Sequence, residues 1–267
     1  MGADAAPGTA GMIDLSGQVA LVPGGSGGIG SHVAELLAEC GADIALGYHT
    51  NAERAEQVAD TIRAMGRKVR LDRLDATDLG AARAWATAVL NEFGRLDILV
   101  NCCGWNGPFG LFSAQDPAQW SGILAIELTA CLNLSYAVVD HMVARRSGRI
   151  ITIGSESGKA GLSGSAVSAA ARGGVNAFSK SLAREVGRHA VTVNVVCPGP
   201  TETPVLDRLR AQGEMGQKLL QGLVAGIPMK RVGTPREVAA VVAFLASGEG
   251  GFITGQAISV SGGLTMI

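Results

Sequence analysis

Apolar and polar residues follow two alternating patterns along the chain. Short apolar runs are typical of buried strands, and longer stretches with apolar residues every three to four positions are typical of amphipathic helices. The predicted strands cover residues 18–22, 43–47, 68–74, 97–101, 149–153, 190–196 and 257–260. The predicted helices cover residues 31–39, 52–65, 79–93, 124–145 and 166–187. Strands that alternate with helices imply a parallel sheet covered on both faces.

No linker divides this pattern, so residues 13–267 are predicted to form one α/β domain. Residues 1–12 lack apolar periodicity and also lack the basic and apolar regions of a signal peptide, so we expect a flexible N-terminal tail. Residues 200–234 are rich in Gly, Arg and Gln. This stretch is predicted to form a mobile helical flap over a site.

Composition narrows the classes of partner. The 267 residues carry a formal net charge of -1, and 17% of them are charged, below the usual ~25%. This balance gives no electrostatic reason to bind nucleic acid or an anionic membrane, and no apolar run reaches the ~18 residues of a membrane span. The five cysteines have no zinc-site spacing. We therefore expect a cytoplasmic protein without a metal site, whose cysteines are small buried hydrophobes.

A glycine-rich turn follows the first predicted strand and opens the first predicted helix. Residues 23–30 read Pro-Gly-Gly-Ser-Gly-Gly-Ile-Gly. Glycines let the backbone turn tightly and approach a pyrophosphate, and the helix N-terminus offers free N–H groups to the phosphate oxygens. The turn therefore predicts a phosphate cradle for a dinucleotide.

The pattern Gly24-x-x-x-Gly28-x-Gly30 resembles the fingerprint of the short-chain dehydrogenase/reductase family, and the likeness runs from about residue 15 to residue 266. Further stretches that resemble the family are residues 74–78, 101–104, 197–203, 252–256 and 260–263. The resemblance implies a single doubly wound Rossmann-type domain with a parallel sheet, and NADP(H) or NAD(H) as cofactor. The cofactor-binding residues that it implies are Gly24, Ser26, Gly28, Ile29, Gly30, Tyr48, His49, Asp75, Ala76, Asn101, Gly104, Pro198, Gly199 and Thr203.

The choice between the two nucleotides depends on the end of the second strand. Family members that prefer NAD usually carry an acid there, which binds the ribose hydroxyls and repels a 2′-phosphate. Tyr48 occupies that position, so NADP(H) is favoured, although Gly27 replaces the basic residue common in NADP users. Pro23 and Cys102 replace a threonine and an asparagine of the family pattern and weaken local hydrogen bonding.

The catalytic positions depart from the family. Its members use a serine, a tyrosine thirteen residues later, a lysine four residues after that, and an asparagine on the preceding helix. Ser155 matches the serine, but the other positions hold Ser168, Arg172 and Glu127. The flanking residues 178–185 keep the register without a gap.

No displaced pair replaces the missing one, because neither Tyr48 nor Tyr136 has a lysine four residues on. The phenol of tyrosine has a pKa near 10, and a neighbouring cation can bring that pKa close to the working pH. A serine hydroxyl is a far weaker acid, and arginine stays protonated. One general-acid step, worth roughly 10²–10⁴-fold, is therefore predicted to be lost.

The opposite charges of Arg172 and Glu127 predict a buried ion pair that fills the family's proton-relay position. The alternative is that Glu127 carries the proton, with a pKa raised by burial. Glu156 and Lys159, beside Ser155, are expected to be solvated loop charges. Trp105 is expected either to line a substrate pocket or to pack in the core.

Three functions remain open. In the first, the chain is the non-catalytic subunit of a homo- or hetero-oligomer that contains a catalytically intact homologue. That complex would interconvert an alcohol and a ketone on a small-molecule substrate, such as an acyl-coenzyme A or a carrier-bound acyl group. Alternatively, it is an NADP(H)-using or non-redox enzyme with an altered site, or a ligand-binding sensor or scaffold. The two replaced catalytic positions, together with the changed relay position, favour the first.

Overall fold

Seven strands form one sheet in residues 13–104 and 110–267, the part of the chain that the structure, a computed structural model, describes. They are β1 (Val19–Pro23), β2 (Asp43–Tyr48), β3 (Val69–Arg73), β4 (Ile98–Asn101), β5 (Gly148–Ile153), β6 (Val191–Pro198) and β7 (Ala257–Val260). The order across the sheet is β3-β2-β1-β4-β5-β6-β7, and each neighbouring pair is parallel.

Helices connect these strands. They are α1 (Gly30–Glu39), α2 (Ala52–Ala64), α3 (Leu79–Phe93), α4 (Trp120–Leu124), α5 (Ala130–Arg145), α6 (Ser157–Ala160), α7 (Ala166–Val186), α8 (Pro204–Arg210), α9 (Glu214–Gly226) and α10 (Pro235–Ala246). The alternation predicted from the apolar pattern is therefore confirmed, with element ends that differ by a few residues, but the pattern did not predict α10. Side chains explain several helix starts: Asn51 caps α2 and Asp78 caps α3 by accepting backbone N–H bonds.

The sheet is covered on both faces. One core cluster joins it to α1, α2 and α10 through residues such as Leu37, Ile62 and Val242. The other joins it to α3, α5 and α7 through residues such as Trp85 and Leu134. The central strands β1, β4, β5 and β6 are buried from both sides and read as apolar runs, whereas the edge strands β3 and β7 are only partly buried. The architecture is the doubly wound, Rossmann-type α/β domain that the sequence predicts.

The order of the strands reverses beside β1. The chain leaves β1 for α1 on one face and leaves β4 for α5 on the other. The two connections diverge and open a crevice at the carboxyl ends of these strands, which is where open α/β sheets bind their ligands. The glycine turn and the stretch after β4 both lie at this crevice.

The long helix predicted over residues 124–145 is interrupted. A π-helical turn, Ala125–Thr129, separates α4 from α5 and carries Glu127. Such wider turns frequently occur at functional positions. The stretch Pro117–Arg145 is long and apolar enough to cross a membrane by length and composition alone. That is weak evidence, because its buried face packs in the core cluster shared with α3.

Residues 200–234 contain α8 and α9, so the helical part of the flap prediction is confirmed. Its mobility stays a prediction. The tail assigned to residues 1–12 and the pocket or packing role of Trp105 lie outside the described residues.

Candidate active site

The glycine turn packs closely against two other predicted cofactor segments. Gly24 has φ +76°, and a Cβ on it would lie 2.7 Å from the backbone of Cys102. A Cβ on Gly28 would lie 2.9 Å from Thr203 and from Pro204 at the start of α8. Glycine is therefore required at both positions, and the fold brings the turn, the loop after β4 and the flap to one crevice.

The turn leaves backbone donors free at its mouth. The amides of Gly25 and Gly27 donate to Gly47 O and Gly24 O. Those of Ser26, Gly28 and Ile29 have no acceptor among the described residues. They lie just before Gly30, where α1 begins. Free amides at a helix N-terminus, in a turn without side-chain bulk, fit the pyrophosphate of a dinucleotide.

The predicted adenosine end of the crevice lies after β2 and β3. Tyr48 ends β2 half-buried against the core, and His49 is exposed, with its carbonyl accepting a 3.3 Å bond from Arg73 Nε. Asp75 accepts bonds from Thr77 Oγ1 (2.6 Å) and from Thr77 N (2.9 Å). These two bonds hold the pKa of Asp75 below its usual value.

Asn133 on α5 fixes the same loop from the other side. Its Nδ2 donates to the carbonyls of Ala76 (3.1 Å) and Thr77 (2.9 Å). Sequence reasoning missed Asn133, because nothing in its neighbourhood on the chain signals a contact 57 residues away. The loop predicted to contact adenine is thus held in place by the long helix.

The predicted nicotinamide end lies where β4 and β6 finish. Asn101 is buried, and its Oδ1 accepts from Cys103 N at 3.0 Å, which sets the course of the chain toward Gly104. Pro198 ends β6, and Gly199 N donates to Val260 O at 3.0 Å. A Cβ on Gly199 would lie 2.9 Å from Ser261, so the loop fits tightly against the C-terminal segment.

The catalytic positions lie on β5, α7 and the π-helical turn. Ser155 is half-buried just beyond the carboxyl end of β5. Ser168 is half-buried in the first turn of α7, and Arg172 follows four residues later on the same helix face. The structure thus places the two predicted catalytic positions of α7 on one side of the helix.

The predicted ion pair between Arg172 and Glu127 is confirmed. Arg172 Nη2 lies 2.8 Å from Glu127 Oε1, and the two residues are only 7% and 3% exposed. Arg172 Nη1 also donates to Ile153 O at 2.6 Å. A Cβ on Gly104 would lie 2.6 Å from Nη2, so the guanidinium fills the space beside the loop after β4.

This pair decides what Arg172 and Glu127 can do chemically. Arginine cannot give up its proton in a protein, and a carboxylate bonded to it acts only as an acceptor. The contact therefore favours the structural role of the pair over proton carriage by Glu127. Neither side chain supplies the acid that the family takes from its tyrosine.

Glu156 corrects the expectation of a solvated loop charge. It is only 6% exposed, and neither carboxylate oxygen has a hydrogen-bond partner among the described residues. It is enclosed because its backbone N–H bonds to Pro198 O and so ties it to the end of β6. Lys159 is half-buried, and its Nζ donates to Ala257 O (3.0 Å) and Ser259 Oγ (2.8 Å).

The cysteines near the crevice are free thiols with little nucleophilic character. Burial raises the pKa of Cys103 to about 12, although the positive charge of Arg172 opposes the shift. Burial also raises the pKa of Cys102. Because the thiolate is the reactive form, neither thiol is suited to act as a nucleophile.

Comparison with known proteins decides the family. A sequence model described as enoyl-(acyl carrier protein) reductase matches residues 24–265. The chain is 41% identical to the 3-oxoacyl-(acyl-carrier-protein) reductase FabG of Vibrio cholerae over 96% of its own length and 100% of that protein. The chain belongs to the short-chain dehydrogenase/reductase family.

Two further comparisons agree with this assignment. The chain is 38% identical to nodulation protein G of a Rhizobium species over 96% of this chain and 100% of that protein. A solved short-chain dehydrogenase/reductase of Serratia marcescens superposes with a TM-score of 0.84 at 34% identity, covering 94% of this chain and 99% of that one. Membership in this oxidoreductase family brings a cofactor of the NAD(P)(H) type, without choosing between the two nucleotides.

Proposed function

We propose that this chain is a subunit of a ketoreductase that interconverts a secondary alcohol and a ketone on a carrier-bound acyl substrate, and that it is the non-catalytic partner. The observation that carries the proposal is the Arg172–Glu127 pair, which lies at the family's relay position while Ser168 stands in place of its phenol. The substrate class is taken from the relatives, which are named as 3-oxoacyl-(acyl-carrier-protein) reductases.

The cofactor half of the site supports binding of NAD(P)(H). The free amides of Ser26, Gly28 and Ile29 would hold the pyrophosphate, and the loops at Asp75 and Gly199 would hold the adenosine and nicotinamide ends. A bound nicotinamide supplies or accepts the hydride. The chain's own residues shape the crevice and orient the cofactor. A non-catalytic homologue keeps such residues when its fold depends on them.

The residues at the acid–base positions support the proposal that this chain alone does not turn over a substrate. Reduction of a ketone needs an acid whose pKa lies near the working pH. The hydroxyl of Ser168 is far too weak an acid for that role. The guanidinium of Arg172 is already hydrogen-bonded to Glu127 and to Ile153 O. The missing general-acid step lowers the rate by roughly 10²–10⁴-fold.

An apolar groove on the outer faces of α3, α5 and α7 supports a subunit contact. Its apolar residues are Leu79, Leu132, Tyr136, Val139, Phe178 and Leu182. Tyr136 is 59% exposed and Leu79 40% exposed, so part of the apolar lining of this groove faces solvent in the isolated chain. Contiguous apolar surface of this kind marks protein–protein contacts.

The test is to purify the chain and assay it with NADPH and with NADH against acetoacetyl thioesters. We expect no turnover above background. The tagged chain is then co-expressed with each intact Tyr-x-x-x-Lys homologue from its own genome. We expect co-elution with one of them, in a complex more active than the homologue alone. Ketone turnover by the purified chain contradicts the proposal.

The second candidate function is an enzyme with an altered site. The observation that favours it is that Ser155 and the cofactor crevice are both present, so a bound ketone and nicotinamide would still meet. In that case the proton comes from water or from a residue outside the family pattern. Turnover by the purified chain that is abolished by Ser155→Ala distinguishes this candidate from the first.

A further inference from the structure

Two hydrogen bonds converge on the hydroxyl oxygen of Ser155. Ser157 Oγ donates to Ser155 Oγ at 2.9 Å, and Ser157 N donates to the same oxygen at 3.2 Å. Ser157 begins α6 and is only 6% exposed. The two residues therefore form a compact turn in which Ser157 holds the side chain of Ser155 in place.

The number of bonds decides where the Ser155 proton points. A serine hydroxyl has two acceptor lone pairs and one O–H donor. Ser157 occupies both acceptor directions, so the O–H of Ser155 must point away from Ser157. No acceptor for it lies among the described residues. Since Ser155 is half-buried just beyond the end of β5, this hydrogen is available to a ligand in the crevice.

The same geometry makes the Ser155 hydroxyl a better donor. An O–H group whose oxygen already accepts hydrogen bonds is polarised, and chained bonds strengthen one another in a medium of low dielectric. The enclosure of Ser157 keeps water from competing for its hydroxyl. The pair thus forms a chain of donors that runs from Ser157 through Ser155 and ends at the crevice.

We infer that Ser157 is a positioning residue that fixes the Ser155 hydroxyl as a donor to the keto oxygen of a bound 3-oxoacyl thioester. The chain then binds the ketone through this donor pair, although it lacks the phenol that would complete the reduction. The inference rests on the proposed function for the substrate class. It goes beyond it in assigning a substrate-orienting role to a subunit that does not turn the substrate over.

The test measures ligand binding by the full chain rather than activity. The probe is acetoacetyl-N-acetylcysteamine carrying ¹³C at the keto carbon, bound in the presence of NADP⁺ so that no reduction occurs. Isotope-edited infrared difference spectra report the keto stretch, and calorimetry reports the Kd. The variants are Ser157→Ala, Ser157→Thr as the conservative rescue, and Ser179→Ala as a matched buried serine on α7.

In the wild-type chain we expect the keto band below its frequency in water. In Ser157→Ala we expect the band to move back toward that frequency and the Kd to rise about fivefold, the effect of one hydrogen bond. Ser157→Thr and Ser179→Ala are expected to behave like the wild type. An unchanged dinucleotide Kd in Ser157→Ala shows that the crevice is intact.

Two results overturn the inference. One is a wild-type chain that does not bind the probe, and the other is a Ser157→Ala variant with wild-type band position and Kd. Neither decides the proposed function, because that depends on turnover by the purified chain and on complex formation with an intact homologue. Conversely, turnover by the purified chain would contradict the non-catalytic role but would not contradict the role of Ser157 in positioning Ser155.

Discussion

The guanidinium of Arg172 on α7 lies 2.8 Å from the carboxylate of Glu127 on the π-helical turn, across 45 residues of sequence. Both side chains are buried, and the contact ties α7 to the long helix and to the end of β5. A buried pair of this kind adds little net stability compared with an apolar pair, but removal of one partner strands a buried charge. The pair therefore preserves the fold in the place where the family keeps catalytic groups.

A double-mutant cycle tests that interpretation. We expect Arg172→Met or Glu127→Leu alone to lower the free energy of unfolding by about 3–5 kcal/mol, because each removes one half of a buried ion pair. The double variant should lose less than the sum of the two, with a coupling energy of at least about 1 kcal/mol. Urea unfolding followed by circular dichroism measures all four chains. Additive effects would show that the two groups do not interact in solution.

Restoring the family residues should restore activity. The triple variant Ser168→Tyr, Arg172→Lys and Glu127→Asn replaces the pair with the phenol, ammonium and amide that the family uses. We expect its rate of acetoacetyl thioester reduction to rise at least about 100-fold above the wild-type background, the lower end of a general-acid contribution. NADPH and NADH absorbance assays measure it.

The control for this gain is Ser155→Ala in the triple variant, which should remove most of the new activity. If a folded triple variant that binds the cofactor shows no gain in rate, residues outside these three positions must also differ from those of an active site.

Gly104 should resist substitution because of Arg172. A Cβ at this position would lie 2.6 Å from Nη2, and the ion pair leaves the guanidinium little room to move. We expect Gly104→Ala to destabilise the chain by about 1–3 kcal/mol, as overpacking does, and to weaken dinucleotide binding.

The matched control is Gly222→Ala, within α9, where a Cβ meets nothing within 4 Å. It should leave binding unchanged and raise stability by up to about 1 kcal/mol through helix propensity. Thermal melts and dinucleotide titrations measure both variants. Equal effects of the two substitutions would contradict the close packing at Gly104.

Glu156 should be a cost to stability. A buried carboxylate without a hydrogen-bond partner loses its hydration and gains nothing in return. We expect Glu156→Met, a side chain of similar volume, to raise the free energy of unfolding by about 1 kcal/mol. Glu249→Met, on an exposed loop, is the control and should change stability by less than about 0.5 kcal/mol. Destabilisation by Glu156→Met in urea titrations would show that a partner for the carboxylate exists in solution.

The thiols of the crevice should react slowly in the native chain. Burial raises the pKa of Cys103 to about 12 and that of Cys197 to about 11, so the neutral thiol predominates at pH 8. Because the thiolate is the nucleophile, the rate of alkylation should climb as pH rises toward these values. Mass-spectrometric mapping after timed iodoacetamide treatment measures each site, and the urea-unfolded chain supplies the rate without burial. Rapid native labelling of Cys103 at pH 8 would contradict this.

Local patterns predicted much of this protein correctly. The apolar runs and helical periodicities located the strands and the helices α1, α2, α3, α5 and α7, because burial of a segment shows directly in its own apolar positions, but α10 was missed. The opposite charges at positions 127 and 172 were enough to predict their contact, because both positions could be placed on the family pattern. The interruption of the long helix at Ala125–Thr129 left no such mark and was missed.

The sequence by itself determined the class of fold, the place of the glycine turn after β1 and the residues at the predicted catalytic positions, since each of these depends on neighbours along the chain. Only the tertiary structure decided that Glu156 is enclosed, that Asn133 holds the loop at Ala76 and Thr77, and that Ser157 takes both acceptor directions of Ser155. Burial and hydrogen bonding of a loop side chain depend on which distant segments cover it. That information belongs to the packing of β6, α5 and α6 around the crevice, and not to the spacing of residues along the chain.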